Sequence, residues 1–225
     1  MRTLTLITLI LYGYTCTSQE KKIAVKWFDE KVGNYSGIIN GKAYKFEMLG
    51  YSHPFFKDES LASGNVFYNN QLYYDNELLY DISSDILVLK KDIRGISSLI
   101  QLNSLEIGYF TIHERKFVRT PVKKLNADYT FMEETFKGDR FGFYRRHEKT
   151  REASTKKKII EYEESISYYI SDNGKYSRLQ NGKKLMKIYP ELKDKIRNFA
   201  RANDVSWRHH DDLLIVVSFL DKNWQ

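Results

Sequence analysis

The sequence predicts an α+β protein, mainly antiparallel β, in which a curled sheet, roll or partly closed barrel of hairpins is followed by a short C-terminal helical segment. Three observations carry this. From about residue 35 to 180, short runs rich in β-branched and aromatic residues alternate with Asn, Asp, Gly and Ser turn signals. After residue 181 the apolar period lengthens to three and four residues. Apolar residues make up 42% and aromatics 15% of the 225, more buriable surface than a disordered chain carries, and 3 prolines with 12 glycines leave no composition for a long flexible linker.

The expected organisation is a signal peptide over residues 1–18, a β-rich domain over 19–180, and helices over 181–225 packed on it. Arg2, the apolar run "LTLITLILY" and the smaller, more polar "GYTCTSQE" read as the three regions of a secretory signal, with cleavage after Ser18. The apolar part is shorter than the roughly 20 residues that span a bilayer. Cys16, the single cysteine, is preceded by Gly13, Tyr14 and Thr15 rather than by the residues of a lipidation motif. Cleavage after Ser18 leaves a chain without thiol chemistry.

Asn40-Gly41 between "YSGII" and "KAYKFEML" predicts a hairpin over 35–48, because a type I′ turn needs positive φ at both central residues. Asn69-Asn70 predicts a second. "ELLYDI", "DILVLKK" and "SSLIQLN" read as a meander. "EIGYFTI", the turn "HERK" and "FVRTPV" give a further hairpin, and "YTFMEETF", "KGD" and "RFGFYRR" one more. "HEKTREASTKKK" reads as an exposed loop or long connection, and Asn173-Gly174 marks the last hairpin. Eight or more strands favour curling to protect the edges.

In "KKLMKIYPELKDKIRNFARAND", Leu185, Ile188, Leu192, Ile196 and Phe199 recur at helical spacing, with Pro190 at a first turn and Asn203-Asp204 as a stop. Leu213, Val216, Val217 and Leu220 form a second stripe, with Leu214, Ile215 and Phe219 widening it. Asp211 and Asp212 then lie at the positive end of the helix dipole.

Export signal, turn residues and strand spacing together carry a resemblance. "GNYSGIINGKAYKFEMLGYSHPFF", "SGNVFYNNQLYYDNELLYDISSDILVL", "YYISDNGKYSRL" and the helical segment resemble a family of exported proteins of unknown function from Bacteroidota, over residues 30 to 222. The resemblance implies a periplasmic or outer-membrane-associated location. It supplies no activity or ligand.

The formal charge of +7, from 36 basic and 29 acidic residues, favours anionic partners, but the two signs are interspersed, which argues against nucleic acid. His53, His113, His147, His209 and His210 show no metal-site spacing beyond His209 and Asp212, one turn apart; no metal or cofactor is expected. His53 and His113 read as loop and turn residues, and His209 and Asp212 as facing water. Glu133-Glu134 and Glu163-Glu164 are strand neighbours facing opposite sides, so neither is a hydrolytic dyad. Asp75, Asp81 and Asp85 read as turn formers. No nucleophile elbow, P-loop or dinucleotide fingerprint is present, and no catalytic residue is expected.

The aromatic strands carry the binding expectation. Tyr73, Tyr74, Tyr144 and Tyr168, with Lys156, Lys157 and Lys158, form the candidate surface for an envelope protein, glycan or anionic lipid. Tyr80, Phe141, Phe143 and Tyr169 share their strands; the competing reading is core packing. The expected function is thus a non-catalytic binding or structural module of the envelope, and a hydrolase acting on an envelope polymer is the alternative.

Overall fold

A computed structural model describes residues 37–39, 41–46, 52–93, 95–122, 128–154, 159–207 and 210–224. The segment expected to be a signal peptide, with Cys16, and Lys156, Lys157, Lys158 and His209 lie outside them. Eleven strands form one sheet: β1 (Gly41–Ala43), β2 (Ala62–Tyr68), β3 (Gln71–Asp81), β4 (Ile86–Ile93), β5 (Ile96–Leu102), β6 (Ile107–Ile112), β7 (Arg115–Thr120), β8 (Thr130–Lys137), β9 (Phe141–Ser154), β10 (Ile159–Asp172) and β11 (Lys175–Leu179). Their order is β1-β5-β4-β3-β2-β6-β7-β8-β9-β10-β11, and every pairing is antiparallel. Among the described residues no pairing joins β1 to β11, so the sheet is open rather than a closed barrel.

The hairpins follow from the turn chemistry. Asn69 and Asn70 (φ 47° and 62°), His113 and Glu114 (49° and 61°), and Asn173 and Gly174 (48° and 80°) each place two left-handed residues between paired strands. Glu114 is the least suited to this conformation. Glu114→Gly is expected to raise stability by roughly 0.5 kcal/mol, the left-handed strain relieved less the backbone entropy of glycine. A urea midpoint that falls instead would show that this turn does not strain Glu114.

Two expected elements are corrected. Among the described residues of 35–48 no hairpin pairing is present: Gly37–Ile39 is a 3-10 turn that buries Ile38, and β1 pairs with the distant β5. Gly41 serves close approach, since a Cβ there would sit 2.1 Å from the Gln101 carbonyl oxygen. The polar run from His147 to Ser154 is not a loop either, because β9 continues to Ser154 and pairs with β10 along it. Its ladder sets Lys149 opposite Glu164 and Arg151 opposite Tyr162, cross-strand pairs that stabilise a strand without an apolar face.

The sheet curls tightly. In a flat sheet β3 and β8, four positions apart, would be about 19 Å from each other at 4.8 Å per strand. Instead the Tyr80 ring of β3 lies 6.3 Å from Phe131 of β8, and the Thr130 hydroxyl donates to Asp85 at 2.9 Å. The concavity is filled by Tyr80, Phe110, Phe117, Leu78, Leu87 and neighbours, all essentially inaccessible.

At the other end the same face is covered by helices α1 (Gly182–Ile188), α2 (Lys193–Ala202) and α3 (His210–Lys222), with the 3-10 turn Pro190–Leu192 between the first two. Asn181 caps α1 by accepting the Lys184 N–H at 3.0 Å. Leu213, Val216, Val217 and Leu220 of α3 pack with Phe141, Phe143, Ile170 and Leu179 of the sheet. Ile215 is 48% exposed, so the stripe is narrower than its sequence suggests. Asp212 does not face water: its carboxylate accepts the Ser206 N–H at 2.7 Å and ties down the entry to α3.

Candidate functional site

Cross-strand partners point to one face of a sheet, so the register places each side chain. One transverse row runs Tyr73, Val66, Phe110, Phe117, Glu133, Arg145, Tyr168, Leu179, all on the concave face. Its middle is polar, where the two apolar cores meet. The Glu133 side chain, 4% exposed, accepts from Arg115 at 2.7 Å on Oε1 and meets His147 Nε2 at 2.8 Å on Oε2. Burial pushes the Glu133 carboxyl up, but the His147 and Arg115 hydrogen bonds outweigh it and hold it below the ordinary glutamate value. Nδ1 of His147 is buried without a hydrogen-bond partner, 3.7 Å from Glu164 Oε1. Arg145 pairs with Asp211 of α3 at 3.2 Å.

Beside this seam, His53 is packed rather than exposed. Its Nδ1 accepts the Phe55 N–H at 3.2 Å and lies 3.4 Å from Lys149 Nζ, which donates to the Phe55 carbonyl at 2.8 Å. Burial, then the Lys149 charge, lowers the His53 pKa, and burial lowers that of Lys149. These groups fasten the 52–56 segment to the β9–β10 ribbon. Asp81 accepts the N–H groups of Ser83 and Ser84, both at 2.9 Å, as a turn former should.

The outer face carries the groove. About 550 Å³ of space opens across β6 to β11, lined by Tyr109, Lys116, Arg119, Lys137, Tyr144 and Tyr176 among others. Phe67 and Tyr109 stack at 5.3 Å with 7° between their planes, and the Lys116 ammonium lies 5.2 Å from the Tyr109 ring while pairing with Glu134 at 2.8 Å. Two glycines make the floor flat. A Cβ at Gly108 would stand 2.8 Å from the Phe67 ring, and one at Gly142 2.7 Å from the Tyr144 ring, so both rings lie across bare backbone. Tyr144 and Tyr176 meet at 5.2 Å; burial first, then Tyr176, raises the Tyr144 phenol pKa. The exposed Lys137 forms no ion pair with the described residues.

The tyrosines singled out by sequence separate in the fold. Tyr73 lies in the main core and Tyr168 stacks on Phe143 at 6.0 Å beneath the helices. Tyr74 is half-buried beside the bulge at Asp75 (φ 55°). Of the four, Tyr144 alone lines the groove. The groove residues missed by sequence, Tyr109 and Lys116, sit on one hairpin, while the Arg119 guanidinium turns away to the Leu105 carbonyl and the Tyr129 ring. The signal for Tyr109 and Lys116 was diagonal: Thr111 opposes Lys116, which sets Lys116 beside Tyr109, two residues back.

Among the described residues no group of three His, Cys, Asp or Glu is placed to hold a metal ion. Comparison with protein-family models, with curated proteins and with solved structures finds no match to this chain.

Proposed function

We propose that the protein is an exported, non-catalytic binding module of the cell envelope, and that its outer groove takes an anionic glycan. The observation that carries this reading is the groove itself: flat aromatic rings over glycine backbone, rimmed by Lys116 and Lys137. Aromatic faces take the apolar face of a sugar ring, and the cations take its acidic substituents. The N-terminal run supports export. Among the described residues no helix is long and apolar enough to cross a membrane. A hydrolase, the alternative, has less support, since both oxygens of the most buried glutamate are committed to Arg115 and His147.

Calorimetric titration with uronic-acid oligosaccharides tests the groove. Tyr109→Ala and Lys137→Ala are each expected to weaken binding about tenfold, the equivalent of roughly 1.4 kcal/mol lost per contact. Binding that neither substitution weakens would overturn the assignment. Cleavage of the oligosaccharide by the wild type would favour the hydrolase.

A further inference from the structure

We propose that the outward face of α1 and α2 is a docking surface for an anionic lipid bilayer, separate from the groove. Positive charge that is dispersed over most of the chain is concentrated in the stretch that forms these two helices. Residues 182–202 hold seven basic and two acidic side chains, five of the chain's seven net positive charges. All seven cations are exposed. In α2, Ile196 and Ala200 face the core, and Lys193, Arg197 and Arg201 recur every four residues along one flank. In α1, Leu185 is buried while Lys183, Lys184 and Lys187 face out.

Apolar surface lies among these cations. A groove of about 560 Å³ is lined by Met186, Arg197, Arg201, Val205 and Trp207 among others, with Asp204 the one carboxylate in its lining. The indole is fixed there: a Cβ on Gly182 would be 1.8 Å from the Trp207 ring, so glycine is required for the ring to pack on α1. Internal pairing of the arginines is slight. Arg197 and Asp194 approach only to 3.9 Å, with Asp194 91% exposed, an ion pair too solvated to compete with an external anion.

Charge complementarity selects the occupant. Cations that frame a half-buried Trp and Met match the headgroup boundary of an anionic leaflet, where ammonium and guanidinium groups meet phosphates and the indole sits between polar and apolar layers. An acidic protein face would satisfy the charges but has no need of that apolar groove.

The test is co-sedimentation of the full mature chain with vesicles of phosphatidylcholine, with and without phosphatidylglycerol. The protein is expected to sediment with the anionic vesicles only, and to be released as salt shortens the Debye length from about 10 Å at 0.1 M to 3 Å at 1 M. Each basic residue at an anionic leaflet is worth about fivefold in partitioning, so Arg197→Ala with Arg201→Ala is expected to weaken it about 25-fold. Both side chains are exposed and alanine favours helix, so circular dichroism and the thermal midpoint should hold. Lys137→Ala should leave sedimentation unchanged, which keeps this surface distinct from the groove. Equal binding to both vesicle types, indifference to salt, or an unaffected double variant would each overturn the proposal.

Discussion

Glu133→Ala is expected to cost about 3–5 kcal/mol of unfolding free energy, the cost of breaking a buried ion pair by deleting one partner. Glu133 is the polar joint between two apolar cores. Its removal leaves the Arg115 guanidinium to solvent and leaves the buried His147, already without a hydrogen bond on Nδ1, with none on either ring nitrogen. Phe56, 4.9 Å from the imidazole, and Phe117, 6.0 Å away, offer no polar replacement. The double variant Glu133→Met with His147→Leu should recover much of the loss, because apolar groups of similar volume suit a site flanked by those rings. Urea unfolding measures both. A single variant within 1 kcal/mol of wild type, the level of an exposed pair, would show that the seam is solvated. The pH dependence has a defined sign. The folded carboxyl is held below the unfolded value of about 4.3, so its contribution is complete above that value and is lost as pH falls through the lower folded one.

The strands and hairpins were legible because their causes are local. Asn69-Asn70 and Asn173-Gly174 state their turns in two residues, and the Leu213, Val216, Val217, Leu220 stripe states a helix. The curl was not legible, because it depends on Asp85 reaching the first residues of β8, 45 positions along the chain. The same distance dependence misplaced the Asn40-Gly41 hairpin: a strong turn signal lost to burial of Ile38 and to pairing with β5. Sequence marked Tyr73, Tyr144 and Tyr168 alike. The register separates them, since Tyr73 and Tyr168 belong to the concave row and Tyr144, one residue from Arg145, faces the other way. Of the outward tyrosines expected from sequence, the groove holds Tyr144, while its other residues depend on which strands the fold makes neighbours.

Asp221→Ala is expected to detach the β8–β9 turn from the end of α3 and to cost about 2–4 kcal/mol, the sum for three N–H groups that partly regain water. The Asp221 carboxylate accepts the backbone N–H of Asp139 at 3.1 Å, Arg140 at 2.9 Å and Phe141 at 2.7 Å, across 80 or more residues of sequence. The fit is close: a Cβ on Gly138 would fall 2.0 Å from Oδ2. Held there, Arg140 forks onto Asp172 at 2.8 and 3.1 Å and lies 3.4 Å over the Trp224 ring, so one carboxylate fixes the end of the groove and the lid of the second core together. Asp221→Asn tests the charge separately, because its NH₂ would face backbone donors. Burial raises this carboxyl, but the three N–H donors outweigh it and keep its pKa below the ordinary aspartate value. Its stabilisation is therefore complete above the unfolded pKa of about 3.9 and disappears as pH falls through the lower folded value. Wild type and Asp221→Ala should differ in urea midpoint at pH 7 and converge in strong acid. A difference that persists there would assign the loss to packing around Gly138 rather than to the carboxylate.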